Sequence, residues 1–486
     1  MMVKKHFISR YGKPIYTIGV GGSGGSIQQY HIAQNYPGLL DGGVPQYSYS
    51  DMITQTIYVG DCSLMEYYFD IVAPAEGDST FGGFDPLTQS VIGPTITPRT
   101  WIEGMSSSDD EEHEIYTPLT GGKYRGSTEC VEGWLGLLPL VINPLFTNVV
   151  GLEQLPDDVV TDVKWTHWDD LKNIYGENEQ GYAPNTWDNV GVQYGLQALK
   201  ENKITLKQFL DINAKIGGWK QPWEMVPEGY PFSLYNTIQY LLEITPDPKD
   251  FDPWSIRNAN IDTDEKGVAP RTTGNIDAMH AAYQSGHVFI GRPVDGSEMI
   301  PLIDFRHYLD PVLDMHHAQQ SFATRERLLE GQGHADNQLI WFAKPYYDLT
   351  MHAFDVLDEW IYNIQHKVYG KGVVVNRPDD AEDMCVDAEG NIIGEGPDAW
   401  DGILDDNEPG PCTSAFPLFS TSRIIAGGNM GGDVFKCQLI PVREAVERGF
   451  YDPVPIDDET LKRLEEIFPD GVCDYSKGDA GRPDGF

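Results

Sequence analysis

"IYTIGVGGSGGSIQQYHIAQNYPGLLDG" runs from Ile15 to Gly42: a short apolar run, a glycine cluster around one serine, then a helix-compatible segment closed by Pro37-Gly38. A strand, a glycine turn and a helix in that order serve two chemistries. In one, glycine backbone and a helix N-terminus cradle a phosphate; in the other, small neighbours let a strained serine stand at the top of the strand. Both patterns are present here. Gly19-x-Gly21-x-x-Gly24 satisfies the dinucleotide fingerprint, with Asp41 near the position of a ribose-binding carboxylate, and Gly21-Gly22-Ser23-Gly24-Gly25 satisfies the G-x-S-x-G nucleophile elbow.

The rest of the chain decides between them. A dinucleotide fold expects a regular strand-helix-strand unit next, whereas the pattern breaks from about Ser48 to Trp187 into aromatic, Gly- and Pro-containing segments with a solvated acidic run, "SSSDDEEHE" (Ser106 to Glu114). The elbow makes a different demand: an acid after one later strand and a histidine after the next. "EMIPLIDFR" (Glu298 to Arg306) reads as a strand and leads into "RHYLDPVLD", which carries Asp310. "NQLIWFA" (Asn337 to Ala343) reads as the next strand, and His352 opens the helical "HAFDVLDEWIYNIQH". Ser, Asp, His is the order this fold expects. In that arrangement Ser23 attacks an acyl carbon, His352 takes and returns its proton, Asp310 fixes the imidazole tautomer, and the Gly24 backbone N–H is one oxyanion donor. His334 and the pair His316-His317 compete with His352 for the histidine role. That pair with Asp314 also raises a metal, but adjacent histidines lack ligand spacing, and neither metal nor cofactor is expected.

Further on, "VGVQYGLQALKENKITLKQFLDINAKIGG" (Val190 to Gly218) reads as two helices with a turn at Glu201-Asn202, and "IDAMHAAYQSG" and "SFATRERLLEG" as one helix each. Alternating strands and helices after Glu298 imply parallel pairing. The fold class expected is α/β, a hydrolase-like parallel sheet: core 1–42, an inserted cap 43–297, core 298–370, and an irregular extension 371–486.

With 34 Lys+Arg against 74 Asp+Glu, the formal charge of −40 repels nucleic acid and anionic membrane surfaces. No run approaches the roughly 18 apolar residues of a membrane span, and "MMVKKHFISRYG" has no apolar signal region. The six cysteines form an even set without CxxC. Two disulfides are expected within Cys385, Cys412, Cys437 and Cys473, pairing open, with Cys62–Cys130 a looser third pair; such cross-links indicate a secreted or periplasmic home. "NIDTDEKG" (Asn260 to Gly267) is acidic but lacks EF-hand spacing and reads as a solvated turn. Trp165, Trp168, Trp187, Trp219 and Trp254 suggest a bulky substrate or a packed core.

"TIGVGGSGGSIQQYHIAQNYPGLLDG", "YVGDCSLMEYYF", "IPLIDFRHYLD", "HHAQQSFATRERL", "IIAGGNMGGDVFKCQL" and "RLEEIFPDGVCDYS" together resemble the DUF6351 family, similar to tannase and feruloyl-esterase-like α/β-hydrolases. The resemblance implies carboxylic-ester hydrolysis of a bulky, aromatic or polyester-like substrate, small or polymeric, with a large lid inserted between Ser23 and Asp310. Two other classes remain open, a non-catalytic binding or structural protein on a hydrolase fold and a dinucleotide-binding oxidoreductase. Family members carry a long N-terminal region with an export signal and the first strands of the sheet, and this chain begins one helix before the elbow. A longer chain or a separate N-terminal partner is therefore expected to complete the sheet and the second oxyanion donor, and the chain alone to be poorly soluble or nearly inactive.

Overall fold

A computed structural model describes residues 2–78, 136–146, 167–229, 252, 254–310, 316–345 and 347–486. The chain forms two compact units, one of residues 1–52, 286–310 and 316–418, the other of 53–285, 311–315 and 419–486. It is a mixed α/β protein with a mostly parallel central sheet.

The first unit holds the sheet. After an exposed helix α1 (Met2–Tyr11) come strand β1 (Ile18–Gly22), helix α2 (Gly24–Asn35), strand β2 (Gly42–Gln46) and helix α3 (Met52–Tyr67), which leads into the second unit. The chain re-enters the sheet with β3 (Leu302–His307), α4 (Gln319–Gln332), β4 (Gln338–Ala343), α5 (Thr350–His366), β5 (Met384–Val386) and β6 (Ile392–Glu395). Strand order is β1-β2-β3-β4-β5-β6, parallel except for β6. A parallel sheet is buried on both faces. Ile303 and Phe305 of β3 pack with Leu339 and Trp341 of β4 against Leu357, Trp360 and Ile361 of α5. Leu302, on the alternate side, packs with Tyr30 and Ala33 of α2 and Leu328 of α4.

β2 was not expected. "GGVPQ" holds one β-branched residue beside two glycines and a proline, a weak strand signal. Its neighbours make it a strand: Val44 pairs with Val20, Gly43 pairs with Leu302, and Gly43 is pressed so closely that a Cβ there would lie 2.8 Å from Gln29 Oε1 and 2.9 Å from Leu302 Cδ2. β5 and β6 lie in a stretch that reads as irregular. There a disulfide from Cys385 on β5 reaches Cys412 in the helix Pro411–Ala415, with S–S 2.06 Å.

In the second unit, helices Leu196–Lys200 and Leu206–Lys215 flank the expected turn, the latter capped by Thr205 and Gln208. Cys437–Cys473 joins two antiparallel strands, Cys437–Ile440 and Val472–Asp479. The two disulfides expected among the last four cysteines are thus present, and the fold resolves their pairing. Cys62 is also disulfide-bonded; Cys130, Trp165, Asp314 and the run 106–114 lie outside the described residues. Trp168, Trp187, Trp219 and Trp254 are buried. In the "NIDTDEKG" turn, Asp264 Oδ1 accepts from Lys266 N–H at 2.8 Å and Val268 N–H at 3.0 Å. No helix among the described residues is long and apolar enough to cross a membrane.

Candidate functional site

Ser23 stands between the last residue of β1 and the first of α2, with φ 55° and ψ −116°. A non-glycine residue held there costs on the order of 1–3 kcal/mol and persists only if its surroundings over-determine it. They do. The Ser23 N–H donates to the Gln46 carbonyl on β2 at 3.0 Å, and its own carbonyl accepts from Ser26 N–H at 2.9 Å, Ile27 N–H at 3.1 Å and Ser26 Oγ at 2.6 Å. Its side chain does not cap α2. Buried Gln29 binds the turn from below, its amide donating to the carbonyls of Gly21, Gly25 and Val44 at 3.2, 3.0 and 3.4 Å. Gly21 has a positional reason: a Cβ there would lie 3.3 Å from Gly25 Cα, so the strand and helix backbones touch. Gly24 heads α2, where first-turn N–H groups have no intrahelical acceptor and the helix dipole favours negative charge.

The same edge of the sheet carries the other expected residues, since Asp310 follows β3 and His352 follows β4 in a parallel array. Asp310 is buried, and both its carboxylate oxygens accept from the Ala318 N–H, at 2.8 and 3.0 Å, fixing the start of α4. His352 is exposed on the first turn of α5 and stacks on Trp341 with centroids 5.0 Å apart. Among the described residues it makes no hydrogen bond to Ser23 or Asp310. The head of α5 is nonetheless tied to the elbow through β2, because Gln46, whose carbonyl holds Ser23, donates from Nε2 to Thr350 Oγ1 at 2.7 Å.

The rival histidines lie elsewhere. His334 precedes β4 and so sits at the opposite edge of the sheet. His317 is fully buried and His316 partly so; burial and the nearby Arg306 guanidinium push their imidazoles down to about 3 and about 4, so both are neutral near pH 7. Their backbone carbonyls accept from Arg306 Nη1 at 2.8 and 2.9 Å. Arg306 and Asp304 project from the same side of β3 and share Ser48, whose hydroxyl donates to Asp304 at 2.5 Å and accepts from Arg306 at 3.0 Å. This buried network holds the loop after β2 against β3.

Asp41 argues against a dinucleotide site. It precedes β2, at the edge away from the glycine turn, and its carboxylate accepts from the Thr17 N–H at 2.7 Å. A ribose-binding acid needs the opposite end of that strand.

Two residues at the edge carried no motif. Tyr47, just past β2, adopts φ 46°, and its hydroxyl lies 2.5 Å from His307 Nδ1 at the end of β3. The other ring nitrogen, Nε2, lies 2.9 Å from the Tyr347 carbonyl.

A mostly parallel α/β sheet whose first strand ends in a strained serine at a helix N-terminus defines an α/β protein with a G-x-S-x-G elbow. The chain belongs to the tannase-like family of unknown function, DUF6351, which it matches over residues 1–484. No curated protein and no solved structure matches it.

Proposed function

We propose that the protein is a serine-dependent carboxylic-ester hydrolase working through an acyl-enzyme. The observation that carries this reading is the Ser23 backbone, a non-glycine residue held at φ 55°, ψ −116° on a strand-to-helix turn. Ser23 Oγ attacks the acyl carbon, His352 accepts its proton and delivers it to the leaving oxygen, and Asp310 orients the imidazole. The Gly24 N–H binds the oxyanion. For this, His352 leaves its stack on Trp341 by side-chain rotation and donates its second ring N–H to the Asp310 carboxylate. Support for a bulky aromatic or polyester-like ester is the tannase-like family relation alone, because four of the five tryptophans first linked to it are core residues. Two disulfides support an exported protein.

One observation favours a second reading, a non-catalytic binding protein on the same fold: His352 has neither Ser23 nor Asp310 as a hydrogen-bond partner. A fluorophosphonate probe separates the two. Labelling that disappears in Ser23→Ala supports the hydrolase, and a folded chain that never labels supports the binding protein.

A further inference from the structure

Tyr47 and Ser23 are neighbours across β1 and β2. The Ser23 N–H donates to the carbonyl that precedes Tyr47, and a Cβ placed on Gly22 would lie 3.4 Å from Tyr47 Cδ2. Among the described residues of the sheet-bearing unit, the non-glycine positions with positive φ are Ser23, Tyr47 and Lys367, and Lys367 is the ordinary left-handed cap of α5. The two strained residues not explained by a helix end therefore adjoin at one sheet edge. Such strain is retained where a site needs it.

The hydrogen bonds of His307 define its tautomer. A carbonyl oxygen only accepts, so Nε2 carries a proton and donates to Tyr347; in the tautomer protonated at Nε2 alone, Nδ1 holds a lone pair and the Tyr47 hydroxyl donates to it. With its proton directed at imidazole, the Tyr47 hydroxyl can meet a further group only as an acceptor. It is suited to an incoming O–H group.

Resting on the acyl-enzyme reading, we propose that Tyr47 is a catalytic residue of deacylation, accepting a proton from the attacking water, and that His307 is the positioning residue that receives Tyr47's own proton. Water oxygen bonds to the acyl carbon of acyl-Ser23; the water proton passes to Tyr47 Oη as the phenolic proton passes to His307 Nδ1. The bond between Ser23 Oγ and the acyl carbon then breaks, the proton returns from His307 through Tyr47 to Ser23 Oγ, and the free acid leaves with the pair neutral again. The substrate class this adds is any hydroxyl acceptor small enough to reach Tyr47, water first and short alcohols second.

The test separates the two half-reactions in the wild-type chain, Tyr47→Phe and His307→Gln. Fluorophosphonate labelling reads Ser23 attack alone, steady-state hydrolysis of p-nitrophenyl acetate reads the whole cycle, and intact mass reads acyl-Ser23. The expected result is labelling within about threefold of wild type in both variants, hydrolysis lower by on the order of 10²-fold in Tyr47→Phe, the scale of lost general-base catalysis, and acyl-enzyme that accumulates. Labelling and hydrolysis that fall together, as a merely structural role requires, overturn the proposal, as does unchanged hydrolysis in either variant. If wild-type Ser23 never labels, the ester-hydrolase reading fails, and this inference fails with it. If Ser23 labels and Tyr47→Phe hydrolyses normally, only the inference fails.

Discussion

At the scale of single residues, the glycines of the opening segment are not equivalent. A Cβ at Gly24 would meet nothing within 4 Å, whereas one at Gly43 would collide with Gln29 and Leu302. Gly43→Ala is expected to destabilise the fold by about 1–3 kcal/mol through overpacking, while Gly24→Ala stays within about 1 kcal/mol of wild type; urea denaturation midpoints at constant slope check both. His317 supplies a second prediction. Its imidazole is pushed down to about 3 by burial and by Arg306, below the ordinary value of 6.5. The unfolded chain therefore binds more protons between those values, so this contribution to stability is complete above pH 6.5 and is lost as pH falls toward 3. The loss approaches about 1.4 kcal/mol per pH unit well below pH 6. Thermal melts at pH 7, 6 and 5 should show this slope, and His317→Asn should flatten it.

At the scale of elements, what could be read from sequence followed periodicity and caps. β3, α4, β4 and α5 alternate as "PLIDF", "SFATRERLL", "NQLIWFA" and "HAFDVLDEWIYNIQH" suggest, because each carries its own apolar pattern. β2 and α3, between elbow and acid, did not. β2 is a strand only through its two neighbours, and α3 is a helix of "MITQTIYVGDCSLMEY", whose β-branched and glycine residues favour other states until packing overrides them. β5 is held differently, its Cys385 cross-linked to Cys412 across 27 residues. By loop entropy, Cys385→Ala/Cys412→Ala is expected to lose about 3–4 kcal/mol of unfolding free energy. Guanidinium unfolding of the double variant measures it, and a loss under about 1 kcal/mol would mean that β5 and its helix are held by packing alone.

At the scale of the whole molecule, a formal charge of −40 makes self-repulsion a general term in stability. Raising NaCl from about 0.01 to 0.15 M shortens the Debye length from about 30 to 8 Å. The melting temperature is therefore expected to rise by several degrees, and a melting point independent of salt would show that local ion pairs, such as buried Asp51–Arg327 and Asp61–Arg423, already offset the excess. Asp51 accepts from Arg327 at 2.6 Å within the sheet-bearing unit, and Asp61 pairs with Arg423 in the other.

The sequence by itself determined the elbow, the alternation of strands and helices after it, and the two C-terminal cross-links, because each is written in contiguous residues whose pattern is local. It also placed Ser23, Asp310 and His352 in order along the chain. Which cysteine meets which, that Asp41 lies at the wrong edge for a ribose, that Gln29 and Gln46 bond the serine turn, and that Tyr47 meets His307 were decided only by tertiary structure. These depend on pairing β1 with β2 and β2 with β3, across a gap from residue 46 to residue 302 that no sequence period spans.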